Sequence, residues 1–139
     1  DTDYQVIMSV GNLVSVEEFE ELPENISVFQ YVDQIAVLKK ADVFVSHAGM
    51  NSVNESLYFE VPIVTLPQTA EQTGVANRVI ELGAGIKPDK TDGISILNTV
   101  NKILNDATYK KNASKIAESF KKASGVKGAT DKILSIFNK

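Results

Sequence analysis

The sequence predicts an α/β protein built on a doubly wound parallel sheet with flanking helices. Short apolar runs bounded by Gly, Pro, Asn and Asp alternate with segments of helical period as far as Lys87. The clearest run, Asp42-Val43-Phe44-Val45-Ser46, passes straight into a small-residue turn, His47-Ala48-Gly49, and from there into a helix. Alternation at this spacing calls for parallel β-α-β units, whose right-handed crossovers put helices on both faces of one sheet. The 139 residues suffice for one domain over 1–139, with no repeat, linker or low-complexity segment to divide it.

The first strand is Tyr4–Val10, stopped by Gly11-Asn12, and a short acidic helix is expected near Val16–Leu22. Pro23 and Asn25 punctuate the chain before a second strand, Ile26–Phe29, after which Asp33 opens a brief helix carrying Ile35, Val37 and Leu38. The third strand is 42–46, followed by a helix over Asn51–Phe59 and a fourth strand over Pro62–Pro67. Glu71–Leu82 has helical period and is stopped by Gly83, and Ala84–Lys87 suits an edge strand. The remainder is helical over 93–105, 108–124 and 127–137, with breaks near Ala107 and Gly125.

Composition excludes several functions. The chain has no cysteine, which removes disulfides, thiolate metal sites and cysteine nucleophiles, and its single histidine removes every multi-histidine metal site. No apolar stretch reaches the roughly 20 residues of a membrane helix and no signal sequence opens the chain, so a cytoplasmic location is expected. The net charge of −4 divides into −10 over residues 1–86 and +6 over 87–139. The lysines of the basic part are spread over amphipathic helices as a solvated face, and nucleic acid is not an expected partner. The chain opens at Asp1 without a methionine, as a fragment or processed product does.

In a sheet of this kind ligands collect at the carboxyl ends of strands. The segment Ser46–Ser56 places a small-residue turn between strand and helix, where backbone N–H groups and the positive end of the helix dipole converge, an arrangement suited to a phosphate. Gly49 permits close backbone approach, Asn51 and Ser52 add donors in the first turn, and His47 supplies a hydrogen bond from the strand end. Structural readings stand beside these. Ser52-Val53-Asn54-Glu55 also fits the S-x-x-E capping box, Glu71-Gln72 also suits a favourable acidic helix start, and Tyr31 also suits core filling. The segment lacks the glycines and lysine of a P-loop and the three glycines of a dinucleotide fingerprint, which argues against an NAD-binding domain.

Residues 25–86 contain NISVFQYVDQIAVLKK, then a strand ending in SHAGMNSVNES, then EVPIVTLPQTAEQ. In order and spacing these blocks resemble the donor-binding signature of the inverting, UDP-sugar-dependent GT-B glycosyltransferases of family 1, especially their bacterial macrolide-type members. The resemblance implies a Rossmann-like half of a GT-B fold. By position, Tyr31 takes the place of the family's tryptophan that stacks on uracil, and Val32 supplies backbone hydrogen bonds to the base edge. Gln34 and Glu55 fall where the family holds the ribose hydroxyls, His47, Gly49, Asn51 and Ser52 at the diphosphate cradle, and Glu71 and Gln72 at the pair reading the sugar hydroxyls. The sequence departs from the signature at Tyr31, at Asp33 in place of proline, and at Glu60 in place of the glycine before Val61-Pro62.

The implied function is the donor-binding half of a glycosyltransferase that moves a hexosyl group from a UDP-sugar to a hydroxyl of a small acceptor. The family's catalytic base and acceptor pocket belong to an amino-terminal lobe that nothing here resembles, so no catalytic residue is expected in this chain, and alone it should be inactive. No metal and no cofactor beyond the UDP-sugar are implied. A non-catalytic nucleotide-binding module serving a separate partner chain is the alternative. The family's donor lobe opens with a β-α unit that is missing here, and its strand would lie between 4–10 and 42–46. These two strands are therefore expected to close up against each other, or their edges to recruit another strand, as in a homodimer.

Overall fold

The computed structural model describes residues 3–19 and 21–137. The chain comprises two compact units, Asp1–Val37 and Leu38–Lys139. In the first, β1 (Val6–Ser9) and β2 (Ile26–Phe29) form a parallel pair, with Val6 opposite Ile26 and Ser9 opposite Phe29. The Asn25 side chain reinforces the start of this ladder, its amide donating to the Tyr4 carbonyl at 2.7 Å.

The helix expected over 16–22 contracts to a 3-10 turn at Val16–Glu18. Ser15 and Glu18 close a reciprocal capping box around it, satisfying its free amides locally, and Phe19 then leaves helical geometry at φ −110 and ψ 55. Glu20, inside the expected span, lies outside the described residues. The brief helix α1 (Gln34–Leu38) follows β2.

The second unit holds a three-stranded parallel sheet in the order β3 (Phe44–Ser46), β4 (Ile63–Thr65), β5 (Gly85–Ile86). Phe44 pairs with Ile63 and Ser46 with Thr65, while Ile63 also pairs with Gly85. The central strand β4 is buried throughout, as a parallel strand covered on both faces must be, which is why Val61-Pro62-Ile63-Val64 is an unbroken apolar run. Helices α2 (Met50–Tyr58) and α3 (Ala70–Glu81) make the crossovers, and α4 (Gly93–Asn105), α5 (Ala107–Lys122) and α6 (Gly125–Phe137) follow.

The core of this unit joins Ala48, Val53 and Leu57 to Ile63, Ala76, Val79, Ala84 and Ala113. Val53 and Leu57, four apart, line one face of α2, while Ala113 and Ala117, equally spaced, let α5 approach closely. Helix α6 is amphipathic yet contributes no buried residue. Most observed helix bounds lie one or two residues from the expected ones, within the ordinary fraying of helix ends. Among the described residues, no helix is long and apolar enough to cross a membrane.

One expectation requires correction. Of the two outcomes expected for the strands over 4–10 and 42–46, pairing with each other is not seen among the described residues: β1 pairs with β2, and β3 with β4. In each case the pairing partner is the next strand along the chain, which provides a complete parallel register after a short crossover.

Candidate functional site

Parallel pairing puts the carboxyl ends of β3 and β4 side by side. The Leu66 amide donates to the Ser46 carbonyl at 2.8 Å, tying the two strand ends together. The turns into α2 and α3 therefore leave the same end of the sheet, carrying His47, Gly49, Asn51 and Ser52 on one turn and Glu71 and Gln72 on the other. These are six of the ten residues expected from the sequence to touch the ligand, and a seventh, Glu55, lies one turn further along α2.

The turn into α2 is tightly specified. Ala48 is fully buried with a left-handed backbone at φ 65, a conformation that costs a residue with a Cβ about 1–2 kcal/mol. The Ser46 hydroxyl accepts a hydrogen bond from the Ala48 amide at 3.3 Å and helps hold it there. Next comes Gly49, where an added Cβ would stand 2.7 Å from His47 Nε2. The imidazole therefore lies directly against the Gly49 backbone, and only glycine leaves it that space. The left-handed turn at Ala48 and the absence of a Cβ at Gly49 together leave room for the solvent-exposed His47 imidazole against the start of α2.

Gly49 is the N-cap of α2, and no side chain caps this helix. The capping-box reading of Ser52-Val53-Asn54-Glu55 is thereby corrected. Ser52 lies in the third position of the helix, with a helical backbone that a cap residue does not have, because the chain already turns helical at Met50. Asn51 is exposed at this end, with Ser52 and Glu55 half-buried behind it. The positive end of the α2 dipole, an imidazole and polar side chains thus meet at one strand terminus, an arrangement chemically suited to an anion.

At the start of α3, Thr69 is the N-cap and accepts a hydrogen bond from the Gln72 amide at 3.3 Å. The Gln72 side-chain oxygen in turn accepts from the Gln68 amide at 2.8 Å, so this glutamine braces the turn while its amide group remains a donor. Glu71 is exposed in the first turn. The bracing role of Thr69 escaped the sequence reading, although a threonine three residues before Gln72 is the signal that finds it.

The remaining expected residues lie in the first unit. Tyr31 is exposed and Val32 half-buried on the loop after β2, and Gln34 is the first residue of α1. Asp33, which stands where the signature has proline, turns its carboxylate onto α1, accepting from the Ala36 amide at 3.0 Å. Its charge is thereby directed at a helix N-terminus.

Parallel strands whose carboxyl ends open onto helix N-termini define a class of α/β domain that binds ligands at the end of the sheet. Within that class, the chain belongs to the family of the erythromycin biosynthesis protein CIII-like, C-terminal domain, which matches residues 1–125. It is 40% identical over 136 residues to the uncharacterized UDP-glucosyltransferase YojK of Bacillus subtilis strain 168, covering 96% of this chain and 34% of that protein. It is 41% identical over 135 residues to the NDP-glycosyltransferase YjiC of Bacillus licheniformis, again covering 96% of this chain and 34% of the relative. The crystal structure of the glycotransferase of kitacinnamycin superposes with a TM-score of 0.87 at 32% identity, over 94% of this chain and 34% of that one. The chain thus spans about a third of the length of the relatives it matches. These likenesses bear out the expected α/β fold and the resemblance to the carboxyl-terminal half of bacterial GT-B glycosyltransferases.

Proposed function

We propose that this chain is the donor-binding half of an inverting UDP-glycosyltransferase that transfers a hexosyl group to a hydroxyl of a small acceptor. The observation that carries the reading is the convergence of His47, the Gly49 turn and the uncapped start of α2 with the start of α3 at one end of the sheet. In this reading the diphosphate lies at the α2 N-terminus. Tyr31 stacks on the uracil, Val32 bonds its edge through the backbone, Gln34 and Glu55 accept from the ribose hydroxyls, and Glu71 and Gln72 read the sugar.

The reaction is a direct displacement at the anomeric carbon. The bond to the UDP oxygen breaks as the acceptor oxygen forms its own, with a base outside this chain taking the acceptor proton. His47 and the α2 dipole then stabilise the charge that grows on the departing diphosphate. This work is electrostatic, and the reading needs no cofactor beyond the UDP-sugar. The isolated chain binds nucleotide and turns nothing over, since acceptor site and base belong to the remainder of a longer protein, in the cytoplasm where the donor is at hand. In this reading the same remainder, rather than a second copy of the chain, supplies a strand to the edge of β3, the end strand of its sheet among the described residues.

Titration with UDP, UMP and NAD, followed by amide chemical shifts, tests this. UDP should perturb residues 47–55 and 69–72 together with 31–34, and UMP should do so more weakly. Stabilisation by NAD with no response to millimolar UDP would refute the assignment.

A further inference from the structure

We propose that Leu13 forms a second wall of the nucleobase slot, so that the flat ring is held between the Tyr31 ring and an aliphatic side chain; this rests on the nucleotide reading above. The inference comes from the carboxyl end of the β1–β2 pair. Beyond the strands the ladder continues, with the Val10 amide donating to the Phe29 carbonyl at 3.0 Å and the Gly11 amide to the Gln30 carbonyl at 3.0 Å. The Ser9 hydroxyl also donates to the Gln30 carbonyl, at 3.2 Å, and the Gln30 side-chain amide reaches across to the Val14 carbonyl at 3.1 Å. Three hydrogen bonds thus fasten the turn over residues 10–14, and a fourth the end of β1, to the two residues immediately before Tyr31. Gly11, at φ 65, bends the chain within this turn.

On that fastened turn Leu13 is 98% exposed, and Tyr31, the residue after the Gln30 to which the turn is tied, is 61% exposed. A single exposed leucine is commonplace on a protein surface. A leucine left almost wholly in water by a turn that is hydrogen-bonded at both ends to the residues preceding an exposed aromatic ring, at the carboxyl end of a parallel strand pair, is a different circumstance. A base stacked on Tyr31 alone keeps its other face wet, and an aliphatic group over that face removes it from water with no demand on the base's hydrogen-bonding edge. Leu13 therefore adds affinity for the nucleotide without selecting among bases, which is left to the Val32 backbone.

The test compares the unsubstituted chain with Leu13→Ala and Leu13→Met, each titrated with UDP and with inorganic pyrophosphate. Leu13→Ala should weaken UDP about fivefold, as when roughly 40 Å² of apolar surface is returned to water, and leave pyrophosphate affinity and melting temperature unchanged. Leu13→Met should recover UDP binding to within about twofold, since its flexible chain covers a similar area. Undiminished UDP affinity in Leu13→Ala, alongside a loss in Tyr31→Ala, overturns the role of Leu13 and leaves the nucleotide reading standing. Equal weakening of UDP and pyrophosphate overturns it also, because the effect is then not on the base. Failure of the unsubstituted chain to bind UDP at all overturns the nucleotide reading and this proposal together.

Discussion

Glu60 has a left-handed backbone at φ 64, where the family signature has glycine. Its carboxylate accepts from Lys121 Nζ at 3.0 Å and from the Ser114 hydroxyl at 2.8 Å, fastening the end of α2 to α5. Glu60→Ala keeps the backbone strain and loses both bonds, and should destabilise by about 1 kcal/mol, since exposed ion pairs contribute little. Glu60→Gly loses the same bonds and relieves the strain, so its stability should fall within about 0.5 kcal/mol of the parent chain. Urea unfolding of the two variants measures the difference. Two site residues separate binding from folding in the opposite sense. Gly49→Ala forces His47 off the turn and should weaken UDP about tenfold, as read by calorimetric titration. For Glu55→Ala, losing carboxylate bonds to two ribose hydroxyls should cost about 1.5–3 kcal/mol of binding. Because Ser52-x-x-Glu55 is not the start of the helix, unfolding stability should fall by less than about 1 kcal/mol.

At the scale of elements, the helices differ in how they begin, and this predicts where acid acts. Helix α2 begins at a glycine, whereas α4 and α5 begin at carboxylates: Asp92 accepts from the Ser95 amide at 2.8 Å, and Asp106 from the Thr108 amide at 2.9 Å. Hydrogen bonds from Ser95 hold Asp92 below its ordinary value of 3.8, and those from Thr108 do the same for Asp106. Glu60 is held below 4.5, first by its bond from Lys121 and then by that from Ser114. A carboxyl group lowered in this way binds fewer protons folded than unfolded. Its stabilisation is complete above the ordinary value and is lost as pH falls through the lower folded one. The melting temperature should therefore be nearly level from pH 7 to about 5 and fall below about pH 4. In a chain carrying Asp92→Asn and Asp106→Asn the fall should be shallower, because asparagine caps a helix without titrating. An equally steep fall would place the acid sensitivity elsewhere.

At the scale of the molecule, stability is concentrated in the second unit around β4. Leu57, 4% exposed within that core, should cost about 2–4 kcal/mol on replacement by alanine, as buried leucines do. Removal of residues 125–137 takes away a helix with no buried residue and should shift the denaturation free energy by less than about 1 kcal/mol. Much of this architecture is legible in the order of the residues. The period of apolar positions, the run from Val61 to Val64 and the Gly/Pro punctuation depend on neighbours a few residues apart, so strand and helix identities and the α/β class follow from sequence alone. The linked blocks over 25–86 likewise carry the family. Other features depend on groups distant in the chain, and these only the tertiary structure decided. Ala48 is left-handed because the buried turn packs it so, and His47 lies on Gly49 because the strand end directs it there. Ser52 belongs to the interior of α2 because backbone geometry, which the S-x-x-E pattern does not specify, sets where that helix starts. Strand pairing is equally non-local: β1 chose β2 and β3 chose β4 through registers whose hydrogen bonds join residues about 20 positions apart, beyond the reach of any local pattern.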